Sequence, residues 1–194
     1  MKYRTLIMFG APGSGKGTQG KVLGAIPNML HFSSGDAFRA LDPNSELGKT
    51  FKEYSTKGLL VPDELTIRLC VDHINKLAQS GKFNPETDTL ILDGIPRSVA
   101  QATALQATVD VKAVLNLACS SYEDLVQRMK KRAIKEGRAD DADENVIRER
   151  FATYDRQTKP LLDFYGAGVV KTVDALQSPI KVLQEVLKII SDLK

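Results

Sequence analysis

The sequence predicts an α/β fold, a parallel sheet covered by helices on both faces, and three observations carry that expectation. Four apolar runs, TLIMF (5–9), TLIL (89–92), VKAVLNL (111–117) and GVVKTV (168–173), are separated by amphipathic stretches long enough for helices. The runs are nearly continuous rather than alternating, the pattern of strands buried on both faces. Polar loops begin where two of them end, GAPGSGKGTQ (10–19) and DGIPRS (93–98), and in open parallel sheets ligands gather at the carboxyl ends of strands. A chain of 194 residues suits one domain, 1–194, with small insertions.

Taken in order, the first run leads into a loop of the form G-x-x-x-x-G-K. Such a loop, opening a helix, offers unpaired backbone N–H groups and a favourable dipole to phosphate oxygens, with Lys16 adding a charge. The usual Ser or Thr after the lysine would bind Mg²⁺, but here Gly17 stands there and Thr18 comes one place late. A weaker fifth strand, MLHF (29–32), precedes a polar, loop-rich insertion at roughly 34–62. The run at 89–92 ends in Asp93, where a Walker-B type carboxylate would hold a hydrated Mg²⁺ and so replace the missing hydroxyl. A helix opened by Pro96 would place Arg97 and Gln101, four apart, on one face. Ser121-Tyr-Glu-Asp124 is a capping pattern for a helix reaching about Glu136, with Arg128 and Arg132 on one face. A second polar, loop-rich insertion follows at about 131–142. The last helix starts at Ser178-Pro179 and carries a stripe of Val182, Leu183, Val186, Leu187 and Ile190, expected to pack in the core.

Composition narrows the partners. Lys and Arg total 27 against 24 Asp and Glu, a net charge of +3, too small a bias to imply nucleic acid or a membrane surface. Cys70 and Cys119 form no C-x-x-C pair and read as two buried free thiols rather than a zinc site or a disulfide framework. The short apolar run in MKYRTLIMFG does not make a signal peptide, and no run approaches a membrane span, so a soluble, cytoplasmic protein is expected. His31 and His73, on a core strand and a helix, read as structural, and no convincing catalytic histidine is present.

The arginines Arg39, Arg97, Arg128, Arg132, Arg138, Arg148 and Arg150 lie on or beside these motifs. Most surface arginines form weak, solvated pairs, but phosphoryl transfer needs fixed guanidinium forks around a water-excluding site. Together GAPGSGKGTQ, SSGDAFR (33–39), GLLVPDE (58–64), DGIPRSVAQA (93–102) and GRADD (137–141), followed by RERFATY and the late VDA, resemble the adenylate kinases among the nucleoside monophosphate kinases. The resemblance covers essentially the whole chain. In that family the loop reads G-x-P-G-x-G-K-G-T, so Gly17 is its norm.

The resemblance implies a P-loop NTPase-like three-layer α/β/α fold around a five-stranded parallel sheet. It implies a core of 1–33, 62–129 and 143–194, a helical AMP-binding flap at 34–61 and a short lid at 130–142. ATP would be held by Gly13, Ser14, Gly15, Lys16, Gly17, Thr18, Arg128, Arg132 and the backbone near Gln177. AMP would meet Ser34, Arg39, Leu59, Leu60, Val61, Gly94, Ile95, Pro96, Arg97 and Gln101, while Arg138 and Arg150 clamp the groups between the nucleotides. The catalytic set would be Lys16, Arg97, Arg132, Arg138, Arg150 and Asp93, with Asp93 holding Mg²⁺ through water. The implied reaction is ATP + AMP ⇌ 2 ADP by a monomer using MgATP. Structural zinc is not implied, because the lid lacks the ligand cluster of long-lid relatives.

This sequence departs from the family at Ser34, usually Thr, and at Ile95, usually Phe. DDADENVIRER is one residue longer than the family spacing, so Arg148 competes with Arg150, the preferred clamp because it directly precedes Phe151 and Tyr154. A UMP/CMP kinase shares the loop and the short lid, and Gln101 and Ser34 argue for AMP instead. A GTPase-type switch would need N-K-x-D, whereas NKLA (75–78) ends in Ala.

Overall fold

The computed structural model describes residues 2–193, with backbone only at Ala139. In chain order the elements are β1 (Tyr3–Phe9), α1 (Lys16–Leu23), β2 (Met29–Ser33), α2 (Ser34–Arg39), α3 (Glu46–Ser55), α4 (Asp63–Gln79), β3 (Thr89–Asp93), α5 (Val99–Leu105), β4 (Val109–Ala118), α6 (Tyr122–Glu136), α7 (Glu144–Thr153), α8 (Leu161–Tyr165), β5 (Val170–Asp174) and α9 (Pro179–Ser191). A 3₁₀ turn, Ala139–Asp141, precedes α7, and a π-helical turn, Tyr154–Thr158, follows it.

The sheet has five strands in the order β2-β3-β1-β4-β5, all parallel. Successive residues of β1 bury on opposite faces, and this explains the continuous apolar run. Ile7 and Phe9 join Leu90, Leu92 and Val114 under α4, α5 and α8, while Leu6 and Met8 join Ile91, Leu115 and Leu117 under α1 and α9. A third cluster, Ala11 with Leu125, Val126, Met129, Ile147 and Phe151, ties α6 and α7 to the glycine loop. The strand order reverses beside β1, so the ends of β1 and β3 flank the crevice where such sheets bind ligands. Register aligns Met8 with Asp93 and Ser33 with Asp93, setting the glycine loop, the carboxylate and the start of α2 side by side.

Four expectations need correction. The segments at 34–62 and 131–142 are mostly helical rather than loop-rich: Ser33 and Ser45 cap α2 and α3, and α6 runs on to its left-handed cap at Gly137. Pro96 does not open a helix; it follows a cis bond, and α5 begins only after Ser98, whose Oγ accepts from the Gln101 N–H. In α9, Val182 and Val186 are buried, but Leu187 is 38% exposed because α9 covers the end layer of the molecule and only one side of the stripe meets the sheet. Cys70 is buried, with its thiol pushed up to about 12 by burial, whereas Cys119 is only half-buried. Of the histidines, His73 is exposed on α4 with its ring 5.2 Å from that of Phe32, and His31 lies against Asp93. Among the described residues no helix is long and apolar enough to cross a membrane.

Candidate active site

The glycine loop turns sharply off β1. Gly10 has φ 137°, and a Cβ there would lie 2.5 Å from the Leu117 carbonyl oxygen, so no side chain fits. Gly15, also at positive φ, caps α1 without any side-chain acceptor, which leaves the N–H groups of the first turn for an anion. The Ser14 hydroxyl is buried without a partner in the same cradle. Lys16 spans the loop, donating from Nζ to the Gly10 and Ala11 carbonyls at 2.8 and 2.9 Å. Burial and repulsion from Arg97, Arg132 and Arg150 bring its ammonium down to about 8, against the opposing pull of Asp93.

Asp93 ends β3 beneath this loop, and its Oδ2 would lie 3.4 Å from a Cβ built on Gly17. The missing side chain at Gly17 therefore leaves space directly over the carboxylate. Apart from His31 Nε2 at 3.5 Å, no side chain among the described residues pairs with Asp93.

Beside the loop opens a cavity. Its lining includes four cations, Lys16, Arg39, Arg97 and Arg150, and one carboxylate, Asp140. It also includes the uncharged Ser34, Leu59, Leu60, Val61, Gly94, Pro96 and Gln101. Arg97 is fixed by its Nε–H to the Gly94 carbonyl at 2.7 Å, and burial together with the nearby Arg150 guanidinium lowers it to about 10. Ser34 Oγ donates to the same Gly94 carbonyl at 2.7 Å. Gly94 has φ 77°, and a Cβ there would meet Ser34 Oγ and Arg97 Nη2 at 2.7 and 2.8 Å, so only glycine lets both converge.

Next to the cavity, the fully buried Asp141 gathers three guanidiniums. Arg132 Nη2 reaches its Oδ2 at 2.6 Å, Arg150 reaches its Oδ1, and Arg138 lies at 4.0 Å. Arg138 is itself lowered by burial and by Arg132 and Arg39. A buried carboxylate held this way aims cations that would otherwise repel one another. The arrangement suits a polyanion on the cationic wall and an uncharged ring in the adjoining pocket.

The adenylate kinase family model matches residues 8–169. The chain is similar to the adenylate kinase of Flavobacterium psychrophilum, 37% identical over 191 residues, covering 94% of this chain and 97% of the relative. It is 41% identical to that of a Cyanothece species, covering 97% and 96%, and 38% identical to that of Leptospira biflexa, covering 95% and 98%. The chain belongs to the adenylate kinase family. It is a phosphotransferase with a phosphate group as acceptor, and its three layers are the P-loop NTPase-like fold of that family.

Within this adenylate kinase fold, several expected site residues lie apart from the cavity. Ile95 is in the core cluster with Phe32, Cys70 and Ile74, while Pro96 lines the cavity. Arg128 donates to the Ala175 carbonyl at 2.8 Å, and Gln177 donates to Glu185 Oε1 at 2.7 Å, both at the end of β5. Thr18 is exposed on α1. Arg148 and Arg150 part company: Arg148 pairs outward with Glu144 and Glu123, while Arg150 reaches Asp140, Asp141 and the cavity. Gln101 is 1% exposed, and its position does not come from sharing a helix face with Arg97, which lies outside α5.

Sequence reasoning missed other parts of the wall. Phe38 and Phe51 stack with centroids 5.2 Å apart and line the cavity from α2 and α3. Tyr154 and Thr158 enter from the π-helical turn, where Thr158 Oγ1 donates to the Arg97 carbonyl at 2.7 Å. An extra residue per turn has no signal in a hydrophobic pattern read at helical period.

Proposed function

We propose that the protein catalyses the reversible, Mg²⁺-dependent transfer of the terminal phosphoryl group of ATP to AMP, giving two ADP. The observation that carries this reading is one cavity beside the glycine loop whose lining combines Lys16, Arg39, Arg97 and Arg150 with the uncharged Ser34, Leu59 to Val61 and Gln101. Cations lowered by burial and mutual repulsion await compensating negative charge.

The acceptor is an ionised phosphate, so no general base is needed and catalysis is positioning with charge stabilisation. The loop N–H groups of Gly13 to Thr18 and Lys16 would hold the ATP phosphates. Arg39 and Arg97 would grip the AMP phosphate. Arg132, Arg138 and Arg150, held by Asp141, would surround the transferring group and exclude water as the rival acceptor. Arg128 and the backbone near Gln177, close together at the end of β5, are the proposed ATP-base side. The chemistry of the donor set fits a hydrated cation at Asp93, a carboxylate facing the gap left by Gly17. Mg²⁺ of MgATP bound there would offset phosphate charge.

We assign residues 34–61 to an AMP-binding flap and 130–142 to a lid on a core of 1–33, 62–129 and 143–194, in a cytoplasmic monomer. Helices α2 and α3 pack on each other through the Phe38–Phe51 stack, as a flap that moves as one piece would require. A coupled assay of ADP formation from ATP with AMP, CMP, UMP or GMP tests the reading. AMP should be the preferred acceptor, and a preference for CMP or UMP would replace it with a pyrimidine nucleotide kinase.

A further inference from the structure

We propose that Asp63 is a positioning residue for nucleobase choice: it locks the Gln101 amide in the orientation that accepts the 6-amino group of adenine and refuses the 6-oxo group of guanine. This rests on the AMP reading above and concerns a residue outside the cavity wall.

A glutamine amide presents an oxygen and an NH₂ of nearly equal size, and rotation about its last torsion exchanges them at little cost. In this chain the surroundings forbid the exchange. Asp63 Oδ1, an acceptor only, takes a hydrogen bond from Gln101 Nε2 at 2.7 Å. The Arg97 N–H, a donor only, gives one to Gln101 Oε1 at 2.7 Å. Turning the amide over would set oxygen against carboxylate and NH₂ against N–H, in a side chain only 1% exposed.

Both anchors are themselves held. Ser98 Oγ donates to Asp63 Oδ2 at 2.8 Å and accepts from the Gln101 N–H at 3.1 Å, closing a ring of hydrogen bonds between the starts of α4 and α5. On the other side the Arg97 carbonyl accepts from Thr158 Oγ1 at 2.7 Å.

One N–H of Nε2 and one lone pair of Oε1 remain for a ligand at the cavity wall. A purine fixed by its phosphate on Arg39 and Arg97 brings its 6-position to the same place whichever base it carries. Adenine offers a donor there beside a ring acceptor, which complements Oε1 and Nε2–H. Guanine offers an acceptor beside N1–H and meets the locked amide with like against like. An unlocked glutamine would turn over and serve guanine as well. The lock, and not glutamine alone, makes the distinction.

The test compares kcat/KM for AMP and GMP at saturating ATP in the wild type, Asp63→Asn and Asp63→Leu. Asn matches Asp in shape but can offer either end of its own amide to Gln101; Leu keeps the volume and offers nothing. The AMP-to-GMP ratio should fall roughly tenfold in both variants, the loss of about one buried hydrogen bond's discrimination. KM for AMP should rise and KM for GMP fall, with KM for ATP within about twofold of wild type. A ratio unchanged within twofold in folded variants would overturn the proposal. The unliganded wild-type protein gives a second measurement that needs no variant. Its Gln101 side-chain amide should show one proton protected from solvent exchange by NMR, and two freely exchanging protons would also overturn it. A wild type that makes no ADP from ATP and AMP would sink the functional reading, while the NMR result would still report on the lock itself.

Discussion

At the base end of the cavity the polar groups of Gln101 are paired before any ligand arrives, with Asp63 and the Arg97 backbone holding the two ends of the amide. At the phosphate end Lys16 and Arg97 are half-buried close to Arg150, and desolvation together with its repulsion lowers both, to about 8 and about 10, against the pull of Asp93. In the first region the amide is held at both ends and keeps one N–H and one lone pair for the base, so it discriminates by refusing mismatched hydrogen bonds. The second is under electrostatic stress, which phosphate oxygens relieve on binding. Selectivity and catalytic force are therefore built by different physics on adjoining walls. Base-end changes should move the choice of substrate, and phosphate-end changes should move the rate.

The sharpest break falls on Lys16. Lys16→Ala should leave a folded protein with kcat lowered by roughly 10²-fold or more, because removing a fixed donor at the transferring group costs about 2.7–4 kcal/mol. Near-normal turnover would show that the phosphate wall is not where the rate is set. A comparable loss, about 10²-fold, is expected for Arg150→Ala. Arg148→Ala should stay close to wild type, since its pairs with Glu144 and Glu123 lie on the exposed outer surface. The reverse order in steady-state kinetics would reassign the clamp. Asp93→Asn should keep the fold and shift the Mg²⁺ titration of activity about tenfold toward higher concentration. An unchanged titration would remove Asp93 from metal binding.

The smallest effect concerns protons. Lys16 sits at about 8 without phosphates, and bound phosphate raises it, so ATP binding should take up protons above pH 8. Calorimetry in buffers of different ionisation heat should show that uptake, with affinity falling severalfold between pH 8 and pH 9. Stability moves the opposite way. Lys16 in the folded protein binds fewer protons than its unfolded counterpart at 10.5, so its burial penalty is present below pH 8 and eases as pH rises toward 10.5. The difference in unfolding free energy between wild type and Lys16→Met should shrink over that window, and a constant difference would contradict the lowered value.

Local signals made much of the framework legible. Continuous apolar runs mark strands covered on both faces, and the weak run at 29–32 is a strand because β2 pairs with β3 through its whole length. Ser121, Ser178 and Pro179 mark helix starts through groups within three residues of themselves. Leu187 shares the stripe yet stays exposed, because periodicity says which residues share a stripe, not how wide a stripe the neighbouring layer covers. Pro96 does not mark the start of α5, because a proline's fixed φ suits a loop as well as a first helical turn.

By itself, the sequence determined the five strands and several of the helices, the glycine loop, the carboxylate at the end of β3 and the motifs that mark the family. Each depends on residues close together along the chain. Only the tertiary structure decided which cations share a wall, which of Arg148 and Arg150 turns inward, and which way the Gln101 amide points. Two residues apart on α7, the two arginines stand about 200° apart around the helix, so only one can face in, and the burial of Ile147 and Phe151 selects Arg150. The amide depends on Asp63, 38 positions away, and the Arg97 carbonyl on Thr158, 61 positions away. Such pairings exist only once the chain has closed on itself, because a hydrogen bond needs its partner at a definite place and angle, and sequence spacing specifies neither across so long a loop.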